Sequence, residues 1–349
     1  MKQKSISQNL LLIILMFFLA GCTMQEVTPE PATLSTATLA EVAEAIQEPT
    51  STEPVLQEQT STPEPTLTPT EAPLLDCTIA FESDRDGNWE VYRMDPNGEN
   101  PLNLSNNPAD DFNPAWSPDG KQIVFVSNRE NDQGGGQVLY VTDFEGSAVR
   151  QLTTEGESNF PDWSNDGTMI TYSHQGDIYV IPADGSGESV NLTNSPEEDF
   201  QPVWSPDSQQ IAWLSGQSDD WNIFLMNADG SDPRQVTTTG GVSYVTWTID
   251  GRLFTNWRNS GGQCGFNCVM DPDGSNIIEA GGKGEIQQYL PFWTLDGERV
   301  ECASINLDGG SANEIYLVGE IFPDIFFNLT NHPANDRNPD WPATCGPRD

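Results

Sequence analysis

Basic residues are scarce in this 349-residue chain: 14 Lys and Arg stand against 53 Asp and Glu, a formal net charge of -39. A surface of that sign repels a phosphate backbone, which excludes nucleic-acid binding by charge attraction. Histidine is almost missing, with only His174 and His332, so no His-rich metal centre can be assembled. No Gly-x-Ser-x-Gly occurs, which removes the nucleophile elbow of an acyl-transfer enzyme. Long helical segments are lacking too, because 30 Gly and 26 Pro punctuate the chain. One long apolar run exists, Leu10 to Ala20. As a helix it rises about 16 Å, too short for a bilayer core of about 30 Å.

What is present at the N-terminus reads as an address. Lys2 and Lys4 precede the apolar run, which ends in Leu19-Ala20-Gly21-Cys22. A basic start, a short apolar stretch and small residues form an export signal, and these last four residues resemble the bacterial lipobox. The resemblance implies cleavage before Cys22 and lipidation of its thiol, with several acyl chains holding the protein at a membrane. Residues 22–75 that follow are rich in Thr, Pro and Glu and contain no Lys, Arg or aromatic residue. Such a segment has nothing with which to build a core and is expected to be a disordered tether. The expected organisation is a signal at 1–21, a lipidated linker at 22–75 and a folded region at 76–349.

The folded region repeats itself. Trp recurs at 116, 163, 204, 247, 293 and 341, each within a motif such as Phe112-Asn-Pro-Ala-Trp116-Ser-Pro-Asp-Gly120. Short alternating apolar runs follow, for example Ile123-Val-Phe125 and then Val138-Leu-Tyr140, ending in pairs such as Leu152-Thr153. Four short strands per unit, separated by Gly, Asp and Pro turns, specify a β-propeller blade. The first unit starts at its second strand and the last holds only a first strand. The reading is therefore an all-β, six-bladed propeller closed by a C-terminal strand that completes the first blade.

Cys77 and Cys345 fall where an ordinary unit has its Asp-Gly turn, so a disulfide between them would replace the missing covalent link. Cys264 and Cys268 suit a small local bridge that leaves Cys302 free, and pairing of Cys302 with either is the alternative. These cysteines lack the further ligands a metal needs, so no metal site is expected.

The units resemble the TolB-like, or WD40-like PD40, propeller repeat. Ile79-Ala-Phe-Glu-Ser-Asp-Arg-Asp-Gly-Asn88 matches its second portion, and the resemblance covers residues 77–345. It implies the fold and a periplasmic protein-binding role. Relatives include non-catalytic peptidase propellers and polysaccharide lyases or hydrolases, and the α/β domain that precedes the TolB propeller is missing.

Candidate binding residues come from the loops that lead into the Trp strands: Asp110, Asp111, Glu197, Glu198, Asp199, Asp336 and His332. They occupy equivalent points in their units and would form an acidic rim on one face of the ring. Trp257 lies off the repeat phase and is the candidate for stacking on a ligand, whereas His174, in a tight turn, reads as exposed. No cofactor is expected. The acidic rim has the oxygen ligands for a weak Ca²⁺ site, whereas the separate Asp84-x-Asp86-Gly-Asn88-x-Glu90 run lacks the frame of a calcium loop and reads as a capped hairpin turn. The functional reading is an exported, lipid-anchored and monomeric binding module for an envelope protein or polysaccharide, without catalytic residues. A glycan-active enzyme using carboxylates at the propeller mouth is the alternative.

Overall fold

The computed structural model describes residues 78–129, 136–218, 220–257, 267–279, 288–293, 299–305, 313–319 and 326–342. All lie in one compact unit, Leu67–Asp349. The first sheet holds β1 (Ile79–Ser83), β2 (Glu90–Met94) and β3 (Leu102–Asn103). The second holds β4 (Asp111–Trp116), β5 (Gln122–Ser127), β6 (Val138–Asp143) and β7 (Arg150–Gln151). The third runs β8 (Ser158–Trp163), β9 (Met169–His174), β10 (Asp177–Pro182) and β11 (Val190–Asn191). The fourth is β12 (Glu198–Trp204), β13 (Gln210–Gly216), β14 (Asn222–Asn227) and β15 (Arg234–Gln235). The fifth is β16 (Val242–Trp247), β17 (Leu253–Trp257), β18 (Asn267–Met270) and β19 (Ile278–Glu279). A further sheet comprises β20 (Gln288–Trp293), β21 (Arg299–Ile305), β22 (Glu314–Gly319) and β23 (Phe326–Asn328). The last strand, β24 (Asp336–Asp340), returns to pair with β1, giving the order β24-β1-β2-β3.

Each unit folds this way because its turn chemistry is local. After the anchor Trp, Ser117 Oγ accepts the Gln122 N–H at 2.9 Å and donates to Asp119 at 2.8 Å, while Gly120, at φ 67°, closes the hairpin. Ser164 with Asp166 and Ser205 with Asp207 repeat the arrangement. Those hydroxyls hold the two carboxyls below the usual carboxylate range. Much of the excess acid is therefore turn structure. Between the turns, the anchors seal the junctions between blades. Trp163 packs with Ala115, Val124 and Leu139 of the second blade. Trp204 meets Ile178 and Val180 of the third.

The expectation of six equivalent blades closed into a ring is corrected by this packing. Five blades have described side-chain cores, and β24 closes that set by completing the first of them. The backbone pairs β20, β21, β22 and β23 antiparallel in that order. This sheet approaches β24, but no comparable packing against β16–β19 is present among the described residues. The physical reason is that a Trp and a strand pattern specify a four-stranded sheet, whereas docking depends on the shapes of the facing surfaces, which spacing does not report.

Closure rests on one carboxylate. Glu82 on β1 is fully buried and accepts from Arg337 Nε at 2.7 Å and Asn338 Nδ2 at 2.6 Å, both on β24. It also accepts the Asn113 N–H of β4 at 2.7 Å. One side chain thus ties the returning strand to the second blade. Replacing Glu82 by Ala would strand a charged guanidinium and a backbone donor, at a cost of about 3–5 kcal/mol. Replacing Lys121, whose pair with Asp119 is exposed, would cost about 0.5 kcal/mol or less. Urea unfolding midpoints of the two variants measure the contrast.

Candidate functional site

The inner strands carry a shared irregularity. In β4, β8, β12 and β24 the pairing slips a residue or two before the anchor Trp. The residue three before that Trp sits in the left-handed region: Asn113 at φ 46°, Phe160 at 50°, Gln201 at 54° and Asn338 at 49°. Asn tolerates this conformation, but a bulky residue there is an outlier that marks strain. Phe160 is that outlier, and it is also 37% exposed. Its ring lies 6.0 Å from Phe200 of the next blade, which in turn meets Trp221 edge-on at 4.4 Å. An aromatic row therefore crosses the third and fourth blades.

Acids surround that row in the chain. Glu155 and Glu157 lead into β8, and Glu197 and Glu198 lead into β12; the last two are exposed. The same face carries the hairpins between second and third strands, since the Asp199 N–H bonds to Gly176 O at 2.9 Å. The opposite face holds the Asp-Gly turns. Two shallow cavities of about 610 and 410 Å³ lie among those turns, lined by residues such as Lys121, Glu145 and Asn165.

Along the axis a second group converges. Asp162 accepts the Trp204 N–H of the next blade at 2.7 Å, and Asp340 accepts the Trp116 N–H at 2.7 Å. Burial raises both carboxyls to about 7, and the charge of Asp340 adds to the effect on Asp162. Burial, with those two charges, likewise pushes the Tyr244 hydroxyl up. These three residues sit on β8, β24 and β16, the inner strands of alternate blades. Asp340 raises Asp162 and both acids raise Tyr244, so the three lie within electrostatic reach of one another. Ala115, Val203 and Thr246 occupy the position before the anchor Trp in the other described blades. An Asp among such residues was the signal in the sequence, and repeat reading passed over it.

The structure separates the expected rim residues. Asp111 and Asp336 are fully buried, paired with Arg129 at 2.8 Å and Arg85 at 3.0 Å. The two guanidiniums lie over Tyr140 and Tyr92. Asp199 is buried as well and accepts from Trp213 Nε1 at 3.1 Å. Burial raises Asp111 to about 6 and Asp199 in the same direction. These three acids hold inner strands to their hairpins. Asp110 is partly buried and caps the Trp89 N–H at 3.0 Å. His332 is half-buried, its Nδ1 accepting the Ala334 N–H at 3.1 Å. Glu197 and Glu198 alone keep the open position expected of a rim.

Trp257 is not at the surface. It is fully buried in the fifth blade's core, with its Nε1–H on Gly240 O at 3.1 Å. His174 ends β9 and is also buried, contrary to the exposed turn expected for it. Cys268 is buried and disulfide-bonded. Cys22, Cys77, Cys264 and Cys345 lie outside the described residues, and Cys302 is described only in its backbone. Among the described residues no group of three His, Cys, Asp or Glu side chains is placed to hold a metal.

A family model described as the TolB β-propeller domain, PD40, matches residues 56–177. That stretch of the chain is similar to the TolB-type propeller domain. It is 31% identical over 152 residues to a TolB homologue of Chlorobium luteolum, covering 43% of this chain and 34% of that protein. A Tol-Pal system protein TolB of Desulfosudis oleivorans is 33% identical over 125 residues, covering 35% of this chain and 28% of that one. The chain thus aligns with about a third of the length of these curated relatives. The crystal structure of TolB from Acinetobacter baumannii superposes with a TM-score of 0.60 at 19% identity, over 76% of this chain and 66% of that one. At that identity the likeness speaks for the fold.

The axial acids make stability depend on pH in a defined direction. Their folded pKa values exceed the unfolded value, so the folded state holds more protons between about pH 4 and 7 and loses stability as pH rises through that window. Asp162→Asn with Asp340→Asn keeps an oxygen acceptor for each Trp N–H and removes the titration. The double variant is expected to flatten the slope of unfolding free energy between about pH 4.5 and 8, read from urea titrations at each pH.

Proposed function

We propose that the propeller is a non-catalytic binding module that takes a cationic segment of another extracytoplasmic protein on the Phe160 face. The observation that carries this reading is Phe160 itself, a large apolar side chain left exposed in a strained backbone on the strand that follows Glu155 and Glu157, in contact with Phe200 on the strand that Glu197 and Glu198 enter. The fold gains from it only the stacking on Phe200, offset by the strain, whereas a partner gains an aromatic anchor near acidic loops. The resemblance to proteins named for the Tol-Pal system supports a protein partner in the bacterial envelope. The strong net negative charge favours a basic one. The export signal and Cys22 complete the reading as lipid attachment, with residues 22–75 as tether. The axial carboxylates, each tied to a backbone N–H, act as supports of the ring in this scheme.

Two outcomes follow. Phe160→Asn, which copies Asn113 and Asn338, is expected to leave stability within about 1 kcal/mol, because relief of the left-handed strain offsets the lost stacking on Phe200. The same variant, and Glu197→Gln with Glu198→Gln, should each weaken retention of a solubilised envelope protein by about tenfold, with wild-type retention falling at high salt. Affinity capture on the full-length protein measures this. Equal retention by all variants would remove the face from the site, and retention of polysaccharide alone would remove the protein partner.

A further inference from the structure

The third blade breaks a pattern that the first, second and fourth share. In those blades the residue five before the anchor Trp is an Asp, paired across the sheet with a Ser: Asp336 with Ser83, Asp111 with Ser127, Asp199 with Ser215. In the first two, an Arg two residues after that Ser completes a permanent ion pair, Arg85 with Asp336 and Arg129 with Asp111. The third blade reverses the polar pair. Ser158 takes the Asp position, His174 takes the Ser position, and Gly176 stands where the Arg would be. A fixed positive charge is thereby exchanged for a conditional one.

The surroundings suit a ring that gains charge. His174 is 6% exposed and lies edge-on to Tyr179 at 5.2 Å and near Tyr172 at 6.4 Å. Its Nδ1 is 3.4 Å from Ser158 Oγ, and its Nε2 is 3.7 Å from Glu155 Oε2, just beyond hydrogen-bond reach. Glu155 is exposed, on the segment that enters β8. The charged groups facing the ring are all acidic. Glu155 and Glu157 come from that segment and Asp177 from β10, with Glu198 of β12 nearby against Gly176. Asp177 is already engaged by the Ser195 N–H at 2.9 Å and Asn191 Nδ2 at 3.0 Å. Glu155 has no such bond among the described residues and is free to move.

We propose that His174 is a proton-operated latch for the Glu155–Glu157 segment at the entrance to β8. With the ring neutral, Glu155 stays at the longer distance and the segment is loosely held. With the ring protonated, both nitrogens donate: Nδ1–H to Ser158 Oγ and Nε2–H to the Glu155 carboxylate, which closes the gap and draws the segment onto the sheet. Burial lowers the proton affinity of His174 while the three acids raise it, so the latch engages on acidification below the usual imidazole range. Because the folded pKa is depressed, acidification also costs some global stability through this residue, which keeps the local tightening separable from the global change.

The test uses the full-length chain without a partner, so its result is independent of the binding role proposed above. Only two histidines need to be resolved by NMR, and His332→Gln assigns them. In the wild type, backbone amide exchange at residues 155–158, corrected for its intrinsic pH dependence, should slow at least about twofold between about pH 7.5 and 5.5. In Glu155→Gln the slowing should vanish and the His174 midpoint should fall. In His174→Ser, which restores the residue found in the first, second and fourth blades, the slowing should vanish as well. Should that buried variant fail to fold, the exposed Glu155→Gln decides the matter alone. Slowing that persists in Glu155→Gln, exchange in the wild type without such pH dependence, or a His174 midpoint unmoved by that substitution would each overturn the latch.

Discussion

The pairing of β24 with β1 is the constraint on which the rest of the structure depends. A sheet that begins with its second strand exposes an inner edge, and the chain supplies the missing strand from its far end, more than 250 residues away in sequence terms at the Arg337–Glu82 contact. Backbone pairing alone would hold such a strand in several registers. Glu82 selects one, because its two oxygens must meet Arg337 and Asn338 on one side and the Asn113 N–H on the other. Arg337 then lies over Trp89 at 3.8 Å, so closure also covers an aromatic face of the first blade. Asp340 extends the tie by accepting from Trp116 of the second blade. Register, blade contact and axial charge are thereby set by one short strand.

A common scaffold carries different chemistry at equivalent places. The residue five before the anchor Trp is a buried Asp in three blades, Ser158 in the third and Val242 in the fifth. Its cross-strand partner changes in step, from Ser to His174 to Trp257. Buried polar groups must be satisfied and buried apolar ones must fill space, so the two positions change together. This explains why Trp257, off the repeat phase, is core rather than surface: it fills the volume that a polar pair occupies elsewhere. It also explains why Asp111, Asp199 and Asp336 are not rim residues, even though Asp111 follows the partly buried Asp110 and Asp199 follows the exposed Glu197 and Glu198.

The four-strand make-up of a unit was readable because Trp, Ser-x-Asp-Gly and alternating apolar runs report local chemistry that each unit completes for itself. The C-terminal closing strand was readable for the same reason, as a unit with its parts divided between the two ends. Packing of the β20–β23 sheet was not, since docking depends on facing side chains from separate units. The rim was half readable. The loops at 197–198 are open as expected, but neighbouring acids alternate between solvent and interior with the two-residue strand period, and a bulge displaces that period by an amount sequence does not disclose. Nothing in Asn159-Phe160-Pro161 announces a left-handed backbone; the strain of Phe160 is visible only beside Asn113 and Asn338 in three dimensions.

What the sequence by itself determined is the architecture: four-stranded units, their turns, the acidic character and the returning end. Those features arise from contacts within one unit or from composition, so they survive being read one residue at a time. The tertiary structure alone decided the chemistry. Electrostatic reach among Asp162, Asp340 and Tyr244 requires their three blades to be brought together. The aromatic row from Phe160 to Trp221 and the ring of His174 against Glu155 likewise depend on where strands and loops meet. Proton affinity and exposure are properties of those meetings, because they follow from the dielectric and charges around a group rather than from the group itself.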